Sequence, residues 1–318
     1  MAQPSFLSDN IPALQTTSHV LMVRPVRFGY NAQTAEDNAF QHESRLTASE
    51  IQREALLEFD TFVDLLRQEG ITVSVFEDTP EPYTPDSIFP NNWISSHSRG
   101  TVIVYPMYAP NRQAERREDI ISYLLGLYKG GAKLVDYSGE ADRGQFLEGT
   151  GSMIMDRTHQ RVYACRSHRT DPALFARFCA EVECEGMLFA AVDEAGTEIY
   201  HTNVMMALGE DFAVVCLEAV ENEQERAKLV QSLTETGHDI VPISHQQVRQ
   251  FAGNMLQLRT DKGEPLLVMS QRAYQSLRPP QIASLEAKTR LLAIPLDIIE
   301  TCGGGSVRCM MAEVFGEG

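Results

Sequence analysis

The clearest pattern in the chain is a helical repeat of apolar positions between residues 47 and 69. Apolar side chains recur there every three or four residues, at Ile51, Ala55, Leu56, Phe59, Phe62, Val63 and Leu66. Thr47 and Glu50 have the spacing of a capping box, and Gly70 is a typical helix end. The sequence therefore predicts a helix over 47–69, and the run ITVSVF that follows predicts a strand.

Weaker helical patterns alternate with short runs of aliphatic and β-branched residues along the rest of the chain. The helical patterns cover 112–128, 171–183, 221–236 and 270–288. The short runs predict strands and include VLMVRP, TVIVYP, RVYAC, NVMMAL, FAVVCL, MLQL, LLVMS and LLAIPL. Five helices, each among short strands, predict a recurring mixed α/β unit that closes on itself. We expect one domain over residues 1–318.

Charge and composition argue against several classes of binding partner. The chain carries 44 acidic and 27 basic residues, a net charge of −17, so phosphate backbones and anionic membranes would be repelled. No apolar run approaches the roughly 20 residues of a membrane span. The N-terminal stretch, residues 1–18, lacks the basic start and apolar centre of a signal peptide. We expect a cytoplasmic protein that binds neither nucleic acid nor membrane. Its six cysteines, which are spread through the chain without paired metal spacing, should be reduced thiols rather than a disulfide framework.

Cys309 follows a glycine-rich segment, CGGGSVRCM, near the end of the chain. No Gly-Lys-Ser/Thr follows the glycines, which excludes a phosphate-binding loop. A thiol just beyond a glycine turn and next to Arg308 is instead placed for exposure at a strand end, where positive charge favours the thiolate. The alternative for a lone cysteine is a small buried side chain, and we interpret Cys302 in that way.

Two further residues interrupt apolar stretches. His201, in YHTN, stands at the mouth of a predicted strand, where it is either satisfied by backbone groups or an acid–base partner for a nucleophilic cysteine. Glu148, in FLEGTGSM, stands between apolar residues and glycines at the start of another strand. Burying a glutamate is costly unless it is hydrogen-bonded, and the alternative is a solvated turn residue.

In this order, Glu148 in LEGTG, His201 in YHTN and Cys309 in GGGSVRCM resemble the catalytic set of the guanidine-modifying, or pentein, superfamily. The superfamily contains arginine deiminases, dimethylarginine hydrolases, succinylarginine dihydrolase and amidinotransferases. The whole chain looks most like the citrulline-utilisation hydrolase branch, from VLMVRPVRFGYN through FPNNWISSH to the C terminus. The resemblance implies a five-fold α/β propeller of ββαβ units around a polar centre.

At two places this chain departs from the residues that the family usually has. The segment PDSIFPNNWIS is similar to one in dimethylarginine hydrolases whose acidic pair grasps the guanidinium, and that pair falls on Asn91 and Asn92. The family's His-x-Asp likewise ends here in Asn203. A guanidinium offers donors only and suits carboxylates, whereas a neutral ureido group also presents a carbonyl acceptor. Because an amide offers a donor and an acceptor, Asn92 and Asn203 favour a ureido substrate such as citrulline.

The resemblance also implies that two arginines bind the carboxylate of the substrate. Arg112 lies in APNRQAERRE, and Arg169 lies in CRSHRTD. The alternative for each is a solvated surface charge. A fork of two guanidinium groups would clamp a carboxylate better than lysine does.

The expected reaction is hydrolysis of citrulline to ornithine, ammonia and carbon dioxide. Cys309 attacks the ureido carbon, Glu148 holds the group, and His201, preformed as an ion pair with the Cys309 thiolate, transfers protons. Both reacting groups are side chains, so no metal or organic cofactor is expected. An arginine deiminase or dihydrolase and an amidinotransferase share these residues and stay alternatives. A non-catalytic propeller that binds a ribosomal surface is a further alternative, and a homo-oligomer stays open.

Overall fold

The computed structural model describes residues 14–35, 38 and 40–316. Most of the N-terminal stretch that bears on the absence of a signal peptide lies outside the described residues, as do the two ends of the predicted domain. Within the described residues, no helix is long and apolar enough to cross a membrane.

Among the described residues, the strands form five sheets of three strands each. In chain order the strands are β1 (His19–Arg24), β2 (Thr72–Glu77), β3 (Ile94–His97), β4 (Thr101–Val104), β5 (Lys133–Asp136), β6 (Ile154–Asp156), β7 (Arg161–Cys165), β8 (Glu185–Phe189), β9 (Met206–Leu208), β10 (Phe212–Val215), β11 (Asp239–Pro242), β12 (Leu256–Arg259), β13 (Pro265–Ser270), β14 (Arg290–Ile294) and β15 (Ala312–Glu313).

Helices connect the strands. They are α1 (Ala48–Gln68), α2 (Pro110–Gln113), α3 (Glu118–Gly126), α4 (Gly149–Ser152), α5 (Pro172–Glu181), α6 (Thr202–Met205), α7 (Glu223–Glu235), α8 (His245–Val248), α9 (Gln271–Ser276), α10 (Pro279–Glu286) and α11 (Asp297–Gly303), with 3₁₀ turns at Pro90–Asn92, Ser138–Arg143 and Leu217–Ala219. The capping box at Thr47 and Glu50 is confirmed at the start of α1.

Every sheet has the same internal order, which confirms the ββαβ unit. The middle strand is antiparallel to one neighbour and parallel to the other, as in β3-β4-β5, and a helix crosses between the parallel pair. The first sheet takes its antiparallel strand from the far end of the chain, because β15 pairs with β1 through Leu21 and Ala312. The five units thus close into the five-fold α/β propeller of the pentein fold.

Two predicted helices are each split in the structure. The pattern over 112–128 gives α2 and α3, because Arg117 takes an extended conformation before α3 begins. The pattern over 270–288 gives α9 and α10. Pro279 and Pro280 have no backbone N–H to donate, and Pro279 holds Arg278 in an extended conformation, so the helix is interrupted there.

The strand predicted for NVMMAL also begins later than expected. Thr202–Met205 forms the one-turn helix α6, and only Met206–Leu208 joins the sheet. His201 is therefore the residue before a helical turn rather than the first residue of a strand. Glu148 has the same position before α4 and β6.

Candidate active site

The predicted catalytic residues occupy equivalent positions in the repeating units. Each lies in the turn just before the antiparallel edge strand of a sheet, and these turns come together at the centre of the ring. Each sheet has one strand that follows such a turn, and these strands are β3, β6, β9, β12 and β15. Strands β6 and β9 contact each other, as do β9 and β12, and β15 and β3. The turns before them contribute Asn92, Glu148, His201, Asn254 and Cys309.

Glu148 and His201 are joined by a hydrogen bond. Nε2 of His201 lies 2.7 Å from Oε2 of Glu148, and both side chains are buried. The backbone N–H of Tyr108 donates to Oε1 of the same carboxylate at 2.9 Å. Burial alone would raise the pKa of this carboxyl, but Arg169, the His201 bond and Arg112 together hold that pKa well below its usual value. Glu148 is therefore ionised and can only accept hydrogen bonds.

The same contact fixes the proton on the His201 ring. Because the Glu148 carboxylate only accepts, Nε2 carries the proton and the neutral ring keeps its lone pair on Nδ1. Burial lowers the pKa of His201 to about 4, against the opposing effect of Glu148. This lowered pKa favours a neutral His201 in the chain without substrate, and the preformed ion pair with Cys309 stays a prediction.

Cys309 lies in the turn just before β15, facing two amide nitrogens. Its Sγ is 3.2 Å from Nδ2 of Asn254 and 3.4 Å from Nδ2 of Asn203. The residue is 7% accessible, so the predicted exposure is wrong. Arg308, which was expected to supply positive charge, donates to the Glu313 carboxylate at 2.8 Å. The hydrogen-bond donors at the sulfur are therefore two neutral amides, while the buried Arg308 guanidinium interacts with Cys309 through its charge.

Asn254 is the residue that the sequence interpretation missed. Its Oδ1 accepts the backbone N–H of Arg308 at 3.0 Å, and its Nδ2 also donates to the carbonyl of Asn203 at 3.2 Å. These contacts orient the amide so that one N–H of Nδ2 faces Cys309 and the other faces the Asn203 carbonyl. Alignment of the five units against one another would have found it, because Asn254 holds the same position before β12 that His201 holds before β9.

Arg112 fixes the orientation of Asn92. Its Nη1 donates to Oδ1 of Asn92 at 3.0 Å, and because a guanidinium only donates, the amide turns its Nδ2 away. That nitrogen lies beside Gly151, next to His201. It is buried and has no hydrogen-bond partner within the part of the chain that the structure describes.

Arg112 is largely engaged inside the protein. Nε and Nη2 grip the two oxygens of Glu115 at 2.8 and 3.0 Å, and Nη2 also donates to the Phe89 carbonyl at 3.2 Å. With the Asn92 bond, these contacts occupy four of the five N–H groups of a guanidinium. The structure shows Arg112 as the group that holds Asn92. Its predicted contact with a substrate carboxylate stays a prediction.

The other predicted ligands lie around this centre. Nη1 of Arg169 is 3.4 Å from Oε2 of Glu148, and its guanidinium lies over the Tyr200 ring, 4.8 Å from the centroid. Asn91 donates to the hydroxyl of Thr150 at 3.1 Å, which ties the 3₁₀ turn to α4. Substrate binding by Arg169 and Asn91 stays a prediction.

The glycines of the LEGTG motif allow this close packing. Gly149 has a φ of 49°, and a Cβ there would lie 2.3 Å from the carbonyl oxygen of Asn91. At Gly151, a Cβ would lie 2.2 Å from Nδ2 of Asn92 and 2.9 Å from Nδ1 of His201. Only glycine fits at either position without moving the candidate site residues.

Besides Nδ2 of Asn92, the candidate site has buried acceptor atoms that lack a hydrogen-bond partner among the described residues. Oδ1 of Asn203 and Oδ1 of Asp86 are buried and have no partner among residues 14–35, 38 and 40–316. The other oxygen of Asp86 accepts from Asn31 at 2.7 Å and lies 3.9 Å from Nε of Arg112. Buried polar groups are normally paired, so this arrangement suits a small polar molecule with both donors and acceptors. A thiol, a neutral imidazole and a carboxylate are the groups needed for nucleophilic catalysis.

Several solved structures share the fold over nearly the whole chain. ArgZ, an arginine dihydrolase from the ornithine-ammonia cycle in Cyanobacteria, superposes with a TM-score of 0.72 at 15% identity, covering 94% of this chain and 41% of ArgZ. This chain thus spans about two fifths of full-length ArgZ, but it matches 98% of an ArgZ N-terminal domain whose cysteine-to-serine mutant was solved with substrate.

A second structural relative is DDAH from Pseudomonas aeruginosa, solved as a cysteine-to-serine mutant with citrulline. It superposes with a TM-score of 0.64 at 13% identity and covers 94% of this chain and 99% of that one. No curated protein sequence matches the chain. The family profile described as N,N dimethylarginine dimethylhydrolase, eukaryotic, matches residues 24–316. The chain therefore belongs to the N,N-dimethylarginine dimethylhydrolase family, within the pentein superfamily of guanidine-modifying proteins.

Proposed function

We propose that the protein hydrolyses the ureido group of a small amino acid, with L-citrulline as substrate and L-ornithine, carbon dioxide and ammonia as products. The observation that carries the proposal is the orientation of Asn92. Its Nδ2 is a buried donor beside His201, held there by the bond from Arg112 to its Oδ1. A ureido carbonyl oxygen would accept from this nitrogen.

A guanidinium would fit the same position less well. All of its polar atoms are donors, so an N–H would face the N–H of Asn92. An unpaired buried donor costs roughly 1–3 kcal/mol, which is enough to favour the ureido group. The ureido N–H groups would find acceptors in the Glu148 carboxylate and in Oδ1 of Asn203, which has no partner among the described residues.

In the proposed first step, Cys309 Sγ attacks the ureido carbon and its proton passes to Nδ1 of His201. Amide donors from Asn254 and Asn203 stabilise the charge on sulfur. The imidazolium is stabilised by Glu148 through the bond at Nε2. It then returns its proton to the terminal nitrogen as the carbon–nitrogen bond breaks and ammonia leaves.

In the second step, water attacks the S-alkylthiocarbamate on Cys309, with His201 as the base. The carbon–sulfur bond breaks, the thiolate recovers its proton from His201, and the released carbamate loses carbon dioxide to give the amine. One citrulline and one water thus become ornithine, carbon dioxide and ammonia. Neither step requires a metal or an organic cofactor.

The two charged ends of an amino acid have partners of opposite sign near this centre. The buried carboxylate of Asp86 could accept hydrogen bonds from an α-ammonium group, and its Oδ1 has no partner in the described part of the chain. Arg169, and the remaining N–H of Arg112, would meet the α-carboxylate. We place the reaction in the cytoplasm on the sequence argument, with no partner needed besides substrate and water.

Arginine dihydrolase is the second candidate, and an amidinotransferase is a third. The similarity to ArgZ favours the dihydrolase, as does the pair of buried acids, Asp86 and Glu148, which would attract a cation. A dihydrolase would release two ammonia molecules for each ornithine, whereas citrulline hydrolysis releases one. An amidinotransferase would pass its covalent intermediate to an amine rather than to water.

The test is incubation of the purified full-length protein with citrulline or arginine, with ornithine, citrulline and ammonia measured over time. We expect kcat/KM for citrulline to exceed that for arginine at least tenfold, with one ammonia for each ornithine. Cys309→Ser serves as the blank. Turnover of arginine alone, with two ammonia molecules for each ornithine, would replace the proposal with the dihydrolase.

A further inference from the structure

Three potential metal ligands converge at the end of β6 that is remote from the candidate active site. Asp156 is the last residue of β6, His159 lies in the turn between β6 and β7, and His238 precedes β11 in the next sheet. One ligand atom from each lies within 4.8 Å of the others. His238 is far along the chain from the other two, so no sequence motif marks the cluster.

The local geometry places a carboxylate and an imidazole at the separation of two ligands on one ion. Nδ1 of His159 lies 2.9 Å from Oδ1 and 3.0 Å from Oδ2 of Asp156. Ligands of a tetrahedral zinc ion, with bonds of about 2.0–2.1 Å, are separated by roughly 3.3 Å. The 4.8 Å limit on the separations in this cluster leaves a closure of at most roughly 1.5 Å for the ion to draw the three ligands together.

A neighbouring threonine orients the His238 ring. The Thr236 hydroxyl has the helix carbonyls of Ser232 and Leu233 at 3.1 and 3.0 Å as acceptors for its single proton. It therefore accepts from Nδ1 of His238, which lies 2.8 Å away. The neutral ring then carries its lone pair on Nε2. An outer partner that fixes the tautomer in this way is a regular feature of metal-binding histidines.

Burial gives the cluster a closed side and an open side. Asp156 and His238 are 1% and 3% accessible, whereas the side chain of His159 is 38% accessible. An ion could enter from the His159 side and complete its coordination with water there. Two imidazoles and one carboxylate suit Zn²⁺, Co²⁺ or Ni²⁺, whereas Ca²⁺ and Mg²⁺ prefer oxygen ligands.

We propose that Asp156, His159 and His238 form a binding site for a divalent transition metal, with Zn²⁺ as the expected ion. The ion takes the place of the proton shared by Asp156 and His159, and that proton moves to Nε2 of the imidazole. Because the ligands come from two sheets, the ion ties the β6–β7 turn to the strand β11. Its effect is on stability, since Glu148 lies at the opposite end of β6. The proposal is independent of the reaction proposed above.

The test uses full-length protein freed of any histidine tag and of bound metal by a chelator. A His245→Gln background removes a ligand of the other cluster of potential metal ligands among the described residues, Cys216, Glu218 and His245, which would compete for zinc. ZnCl₂ is titrated by calorimetry, and CoCl₂ is followed by its visible absorption, which reports coordination geometry. We expect one ion bound per chain and a thermal midpoint raised by roughly 3–5 °C at a hundredfold excess over Kd.

Two variants distinguish this site from adventitious binding. His159→Gln changes a half-exposed residue and should weaken zinc affinity at least tenfold without unfolding the protein. The matched control is His168→Gln, because His168 also pairs with a carboxylate, Glu198, at 3.0 Å but belongs to neither three-residue cluster of potential metal ligands found among the described residues. Absence of zinc binding, or equal affinity in parent and His159→Gln, would overturn the proposal, and so would an equal loss in His168→Gln.

Discussion

Nδ2 of Asn254 lies 3.2 Å from Sγ of Cys309, and the side-chain Oδ1 of Asn254 accepts the backbone N–H of the residue before that cysteine. One side chain thus holds both the sulfur and the turn that carries it. The donor to the thiol comes from the fifth ββαβ unit in chain order, while the thiol itself precedes β15, which completes the first sheet.

Asn254→Ala should therefore lower kcat by roughly 10–100-fold, because the developing thiolate loses a fixed donor. Alkylation of the free enzyme by iodoacetamide at pH 7 should slow as well, since the thiolate is the species that reacts. Asn222→Ala is the control: it removes the cap of α7, at about 1 kcal/mol of stability, and should leave both rates unchanged. A normal alkylation rate in Asn254→Ala would show that the contact does not act on the sulfur.

Cys309→Ser should reduce turnover by more than roughly a thousandfold, as loss of a covalent nucleophile does. Cys302→Ser should keep activity within about threefold of the parent, because Cys302 is buried within α11 and burial raises its pKa. That variant should cost about 1–2 kcal/mol of stability, since a hydroxyl replaces an apolar thiol. Peptide mapping after alkylation and steady-state kinetics check both variants. The reverse pattern of activity would exclude Cys309 as nucleophile.

Asn92→Asp should shift the ratio of kcat/KM values from citrulline towards arginine by roughly a hundredfold. The new carboxylate would set an acceptor against the ureido oxygen and attract a cation. Both substrates should be assayed under identical conditions. Asn92→Ala is the comparison, because it removes the donor without adding charge and should lower citrulline turnover with no gain for arginine. An unchanged ratio in Asn92→Asp would remove the argument for a ureido substrate.

Gly151→Ala should lower kcat at least tenfold although it adds only a methyl group. The new Cβ would meet Nδ2 of Asn92 at 2.2 Å and Nδ1 of His201 at 2.9 Å, so one of them must move. Gly139→Ala is a matched control, because a Cβ there meets nothing within 4 Å. Full activity in Gly151→Ala, with an unchanged thermal midpoint, would contradict the geometry of the site.

The acid limb of kcat/KM should lie near pH 4, because neutral His201 is the base and burial lowers its pKa to about 4. A profile with citrulline in overlapping buffers measures this limb. His201→Ala should abolish turnover but leave the alkylation rate of Cys309 close to that of the parent, since His201 bonds to Glu148. An acid limb above pH 6, together with slow alkylation in His201→Ala, would support the preformed ion pair.

The same shift in the pKa of His201 affects stability. The unfolded chain binds a proton at a pKa near 6.5 and the folded chain only near 4, so the folded state is disfavoured as pH falls through that interval. This group should remove up to about 3 kcal/mol between pH 7 and pH 4. Urea unfolding of parent and His201→Gln across this range measures the difference between them, and an identical pH dependence would contradict it.

The fold was predictable because the sequence repeats one unit. Apolar periodicity located α1 within a residue at each end, and five helical segments among short strands indicated a closed ring. The breaks within the second and fifth patterns were less visible. Pro279 and Pro280 are a readable signal for one break, but the extended conformation of Arg117 depends on tertiary contacts.

The candidate site was predictable in its residues and less so in its contacts. Motif order led to Glu148, His201 and Cys309, and the structure brings their turns together. Sequence spacing did not show that Arg308 would pair with Glu313, or that Glu115 would occupy Arg112. Such pairings depend on which charges the fold buries together, and a linear pattern of charges does not record that.

The pairing of β15 with β1 has a consequence for how activity would be lost. Cys309 precedes β15 by a few residues, so the strand that closes the ring also delivers the thiol to the centre. If β15 detaches from Leu21, Cys309 leaves the centre of the ring while four complete ββαβ units keep their own strand pairings. In mild denaturant, activity should thus be lost before the circular dichroism signal of the strands and helices, because one short segment both closes the ring and carries Cys309.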